Sequence, residues 1–332
     1  MLESSMELAW PSFQANCKWE IPIQHKPSAM PTPRTRILPI PSSLAALLIP
    51  LLFSAGGFVG IASAAVYHSP YDVAFSPDGE LLAVSDRTAG EVALIDPIAG
   101  KLVRTVALEG PVTGVAFLAD GSRLYAAEFD HRRVAEIDPA TGKITRRLRA
   151  GPYPQHLAMA ADKDLLLVAG WGLDQLIAID LASGKTRAEI DLPRQPFDVA
   201  VTPDGALAVV TNLLPVGRAT ASDYGPVVSL VDLSEMTKRT DVALPIGSSA
   251  VRGVAVDPKG RWAYVVHTLG RYNLPTTQLE RGWVNTNALS VIDLAAASRQ
   301  GTVLLDHPTQ GAADPWGVAV SDDARKLYVT IS

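Results

Sequence analysis

His156 and His267 are the titratable side chains best placed for acid–base chemistry, metal ligation or ligand contact in this sequence. His267 belongs to a column of equivalent positions, each closing an apolar segment: Asp86, Glu128, Gly170, Asn212 and His267. A second column stands just ahead of another apolar segment and reads Tyr71, Thr113, Gln155, Phe197, Arg252 and Trp316. Large polar and aromatic types, varied where a pure scaffold would repeat one residue, point to a recognition face. Ordinary solvated loop residues would vary in the same way. Arg252, Arg271 and Arg281 could hold a carboxylate or a partner's acidic surface, or brace neighbouring loops. Trp171, Trp283 and Trp316 could line a pocket or wedge between packed sheets. The candidate ligand-binding set is Asp86, Glu128, His156, Asn212, Arg252, His267, Arg271 and Trp316. A metal centre needs three or four converging ligands. Beyond residue 64 the histidines are His68, His131, His156, His267 and His307, in no ligand spacing, so no metal is expected. No nucleophile elbow, HExxH, phosphate-cradling glycine loop or cysteine nucleophile occurs, and no catalytic residue is assigned.

These columns are positioned by a repeat. The turns FSPDG (75–79), FLADG (117–121), MAADK (159–163), VTPDG (201–205) and VDPKG (256–260) each follow one short apolar strand and precede another. Gly79, Gly121, Lys163 and Gly205 stand 42 residues apart. A third strand ends in an aliphatic–aspartate pair at Asp96, Asp138, Asp180, Asp232 and Asp293. In the first repeat the spacing predicts strands at 72–76, 81–85, 91–95 and 101–107. A period near 40 residues made of four short strands predicts an all-β fold, a β-propeller with one four-stranded blade per repeat. Five repeats are complete and the sixth (311–332) has two strands. The expectation is an incomplete propeller, part of a seven-bladed ring in a longer protein. Successive strands run antiparallel, so the loops before strand one and between strands two and three share a face. On that face the second-to-third connection lengthens by about 10 residues at 213–226 and about 16 at 268–287.

The pattern P-x-x-V-A-x-x-P-D-G, then L-Y-V-[AT], then V-x-[LV]-I-D and x-x-G-K resembles the YVTN family of β-propeller repeats, with Leu327-Tyr328-Val329-Thr330 close to its naming motif. The resemblance covers residues 69–332 and implies a binding or scaffold module. The stretch 271–293 also resembles propellers fused to a c-type cytochrome or peroxidase-like domain. That likeness implies haem in a C-terminal domain, with no cofactor in this chain. A third reading is a lactonase-like hydrolase using His156, Arg252 and His267 in the channel.

The 332 residues carry 29 Lys and Arg against 34 Asp and Glu, a net charge of −5. No basic excess is present to displace phosphate counter-ions, so nucleic acid is not an expected partner; a protein or small molecule is. Arg34 and Arg36 precede the apolar run at 44–64, which ends Ala62-Ser63-Ala64. Residues 30–64 therefore read as a secretory signal peptide and residues 65–332 as the propeller, placed in the periplasm or outside the cell. Uncleaved, the run would be a membrane anchor. Residues 1–29 read as disordered or as a mis-assigned extension ahead of Met30. The single cysteine, Cys17, lies there, so the repeats carry no disulfide.

Overall fold

The computed structural model describes residues 67–218, 220–221, 224–270, 285–306 and 313–331. The expectations for residues 1–29 and 30–64, and for Arg271, Arg281, Trp283 and His307, fall outside the described residues.

The repeats fold as radial antiparallel sheets. Blade 1 holds β1 (Pro70–Phe75), β2 (Leu82–Asp86), β3 (Glu91–Asp96) and β4 (Lys101–Ala107). Blade 2 holds β5 (Val112–Phe117), β6 (Leu124–Glu128), β7 (Arg133–Asp138) and β8 (Lys143–Arg149). Blade 3 holds β9 (Pro154–Ala160), β10 (Leu165–Gly170), β11 (Gln175–Asp180) and β12 (Lys185–Asp191). Blade 4 holds β13 (Pro196–Val201), β14 (Leu207–Asn212), β15 (Val227–Asp232) and β16 (Thr237–Ala243). In blade 5 the first strand is broken into β17 (Ser248–Ser249) and β18 (Val254–Val256), followed by β19 (Trp262–Gly270), β20 (Asn285–Asp293) and β21 (Ser298–Leu304). Blade 6 shows β22 (Pro315–Val320) and β23 (Leu327–Ile331).

Blade 3 is apolar on both faces because it is packed on both sides. In β10, Leu166 and Val168 face the core shared with blade 2, where they meet Tyr125 and Val134. Leu165 and Leu167 face the core shared with blade 4, where they meet Val199 and Ala208. A continuous aliphatic run of this kind is what a strand buried on both faces requires. The outermost strands are mostly exposed, with one half-buried and one buried position in each of β4 and β16.

The recurring aspartates are turn makers. Asp96 Oδ1 accepts the N–H groups of Ile98 and Ala99, and Asp232 Oδ1 those of Ser234 and Glu235. In the first turn Ser76 Oγ donates to Asp78 Oδ1, while Gly79 takes φ +75°. The glycine-free third turn forms a 3-10 turn at Ala161–Lys163 instead, and Asp164 takes the positive φ, at 50°.

Candidate functional site at the inner-strand bulges

The innermost strands enter the ring in a shared, irregular way. Pro70 pairs with Asp86 and Val73 with Val84, so β1 carries one residue more than β2 over this span. The same bulge recurs at Val112/Val115, Pro196/Val199 and Pro315/Val318, and opposite Val168/Gly170 in blade 3. A bulge releases two successive side chains from the pleat and re-aims them. Here those residues are Tyr71-Asp72, Thr113-Gly114, Gln155-His156, Phe197-Asp198 and Trp316-Gly317. Hydroxyls on the second strand satisfy the freed N–H groups: Ser85 accepts from Asp72, Thr211 from Asp198 and Thr330 from Gly317.

Three charged groups meet in the channel through this device. His156 Nδ1 lies 3.5 Å from Asp72 Oδ2 and 3.6 Å from Asp198 Oδ1. Asp72 also accepts the N–H of Val115 in the next blade, and Asp198 that of Val254, each at 2.9 Å. Each carboxylate thus ties its own blade to its neighbour. Gly114 lets Asp72 reach His156: a Cβ at position 114 would lie 2.5 Å from the Gln155 carbonyl oxygen. Burial acts to lower the His156 pKa, and the Asp72 and Asp198 carboxylates override it, holding the imidazole up at about 9. Burial raises the Asp198 carboxyl above its ordinary value against the pull of His156.

Aromatic rings close over the charges. Tyr71, Trp316, Phe197 and His156 form a circuit with successive centroid distances of 5.4, 5.8, 5.2 and 5.7 Å. Tyr71 donates its hydroxyl to Gln155 Oε1 at 2.8 Å, and burial pushes its phenol pKa well up. Beside the circuit lies a cavity of about 370 Å³, lined by Asp72, His156, Phe197, Asp198, Trp316 and Gly317, among others.

Further out, Arg87 stacks between Tyr71 and Phe129, its guanidinium carbon 5.3 and 5.0 Å from the two ring centroids. Phe129 continues the surface to Tyr153 at 5.0 Å and Trp171 at 5.7 Å. Arg252 lies over Trp316 at 4.6 Å and donates to Asp314 Oδ2.

The structure brings His156, Arg252 and Trp316 together around the channel mouth. It places the strand-two column elsewhere, in hydrogen bonds of the blades themselves. Asp86 Oδ1 accepts the N–H groups of Ser69, Thr88 and Ala89. Glu128 is fully buried and accepts from Arg133 Nε, Arg147 Nε and the N–H of Glu109. Asn212 Nδ2 donates to Val227 O and Ser229 Oγ. His267, also fully buried, has Nε2 2.9 Å from Ser290 Oγ and Nδ1 3.1 Å from Thr268 O. Burial holds the His267 imidazole down at about 4, so it is neutral at pH 7. Asp72, Asp198 and Arg87 were outside the candidate set. The signal for the first two stood one residue after the aromatic column: the residue before each V-A or L-A pair reads Asp72, Gly114, His156, Asp198, Gly253, Gly317.

No family model matches the chain, so the likeness to YVTN repeats rests on its motifs. Over 84 residues the chain is 29% identical to hydrazine synthase subunit beta of Kuenenia stuttgartiensis, a match covering 25% of this chain and 22% of that protein. The match thus spans about a fifth of that relative's length. A solved structure of Kuenenia stuttgartiensis hydrazine synthase superposes with a TM-score of 0.71 at 23% identity, covering 78% of this chain and 73% of that one. At that identity the likeness carries the fold alone, and the chain is a β-propeller of the architecture found in that structure.

Proposed function

We propose that this chain is an extracytoplasmic binding module that holds a protein partner on the face bearing the second-to-third strand loops. The observation that carries the reading is Arg87. It is half-buried between two rings, and among the described residues it has no carboxylate within ion-pair distance. A stacked guanidinium keeps its donor fork in a fixed orientation, ready for a carboxylate. The aromatic surface of Phe129, Tyr153 and Trp171 adjoins it, and arginine with large aromatics is the composition of interface hot spots. The secretory character of residues 30–64 and the cysteine-free repeats support a site of action outside the cytoplasm.

The test is site-specific photocrosslinking in the native host, with the crosslinker at Arg87 and, as control, at Val103 on the outer strand of blade 1. A partner trapped from position 87 and not from 103 is then purified, and its affinity is measured against wild type and Arg87→Ala. The expected loss is about 2 kcal/mol, roughly thirtyfold. Equal trapping from both positions, or an unchanged affinity, would sink the reading.

A further inference from the structure

The repeat holds one position of each second-to-third turn in register. Arg87 in blade 1, Phe129 in blade 2, Trp171 in blade 3 and Leu213 in blade 4 directly follow their second strands. Each donates its backbone N–H to the residue ahead of strand one in its own blade: Ser69, Pro111, Tyr153 and Gln195. One backbone anchor used four times fixes the turn and leaves the side chain free to vary. In blades 1–3 the resulting row reads guanidinium, phenyl, indole, and its members touch. Arg87 Cζ lies 5.0 Å from the Phe129 centroid, and the Phe129 and Trp171 centroids are 5.7 Å apart.

Exposure divides this row into two ends and a support. Phe129 is 7% exposed and serves as the support, with blades 1 and 3 on its two sides. At one end Arg87 stands half-buried, its guanidinium unpaired with any carboxylate among the described residues. At the other end blade 3 exposes Tyr153 at 47% and Leu173 at 57%. The turn between Trp171 and Leu173 packs on Tyr153, since a Cβ on Gly172 would lie 2.8 Å from its ring. The Tyr153 centroid is also 5.0 Å from that of Phe129, so guanidinium and phenol ring are at most about 10 Å apart. Extended chain covers that span in about three residues. We infer that the partner presents an extended segment in which an acidic residue stands no more than three positions from a large apolar one, the carboxylate on Arg87 and the apolar side chain against Tyr153 and Leu173. A guanidinium held flat between rings offers its fork to a carboxylate bidentately, which sets the acidic member. The inference rests on the reading of Arg87 as a protein contact and adds the chemistry the protein must show there.

The experiment is selection from a phage-displayed library of random dodecapeptides on the immobilised full chain, with Arg87→Gln and Leu173→Glu selected in parallel. Wild type is expected to enrich peptides carrying Asp or Glu within three positions of Leu, Ile, Phe or Trp. Arg87→Gln is expected to lose the acidic member of the pair, and Leu173→Glu the apolar member. In fluorescence anisotropy the most enriched peptide should bind about tenfold more weakly to either variant, and so should its analogue with the carboxylate replaced by an amide. No enrichment, a consensus without an acidic residue, or one consensus shared by wild type and both variants would overturn the inference. Should Arg87→Gln fail to fold, Leu173→Glu decides, because its side chain lies on an exposed turn. A partner crosslinked from position 87 alongside any of the overturning results would leave the protein contact standing and remove only the chemistry assigned to its segment.

Discussion

Blades 1–3 and blades 4–6 repeat the same backbone solution and end it differently. In the first half the device closes on itself, because His156 brings the counter-charge that Asp72 needs. In the second half Asp198 borrows that same imidazole from 3.6 Å while the position equivalent to His156 is Gly317. One cation thus serves two carboxylates. Beyond the backbone N–H groups of Val115 and Val254, His156 is thus the side chain that both carboxylates share.

The largest expected effect comes from removing that side chain. His156→Gln leaves two half-buried carboxylates without their imidazolium, an arrangement costing about 3 kcal/mol near pH 7. The pH dependence has a definite sign. The folded value of about 9 lies above the ordinary 6.5, so the stabilisation from His156 is complete below pH 6.5 and lost as pH rises through 9. The gap corresponds to about 3 kcal/mol. His267 acts in the opposite direction: its folded value of about 4 means stability is present above pH 6.5 and declines as pH falls toward 4. Urea unfolding between pH 4 and 10 should therefore give a dome with its top near neutrality. In His156→Gln the alkaline limb flattens and the acid limb stays. An alkaline limb unchanged by the substitution would separate His156 from the two carboxylates.

Next in size is the contrast between glycines. Gly114→Ala drives a Cβ into backbone atoms of blade 3 and should cost about 3 kcal/mol, the upper range for overpacking. Gly317→Ala meets only a hydroxyl at 3.3 Å and should cost under about 1 kcal/mol. Denaturation midpoints of the two variants measure the difference directly. Equal costs would mean that Gly317, like Gly114, is packed against a neighbouring backbone.

The repeat was readable because it is made of local chemistry. Turn aspartates accept N–H groups two and three residues on, and strand positions alternate between two neighbouring cores, so both effects imprint a period on the chain. The channel side chains were less readable, because a bulge changes which residue points inward without changing the composition around it. The aromatic column was visible, yet Asp72 and Asp198, one position further on, sit inside the V-A strand motif and look like ordinary strand residues. At the strand-two ends the variation to Glu128, Asn212 and His267 is equally plain in sequence. What it cannot display is that Arg133, Ser229 and Ser290, all on third strands, absorb those groups.

The smallest effect sharpens the comparison on the faces of the inner strands of the same halves. Val73 on β1 is 58% exposed, while Val199, its equivalent on β13, is 5% exposed. Tyr328 on β23 is 59% exposed against 1% for its equivalent Tyr125. Val199 is covered by blade 3, whereas the faces of blades 1 and 6 that carry Val73 and Tyr328 are uncovered among the described residues. Val199→Ala should cost about 2 kcal/mol through lost burial and a cavity. Val73→Ala should cost under about 0.5 kcal/mol, because the methyl groups it removes already touch solvent. Both are read as unfolding midpoints at two protein concentrations. If Val73→Ala proves as costly as Val199→Ala, and more so in concentrated solution, another polypeptide surface covers that face. A small cost independent of concentration would mean that the Val73 side chain makes few contacts in the folded chain.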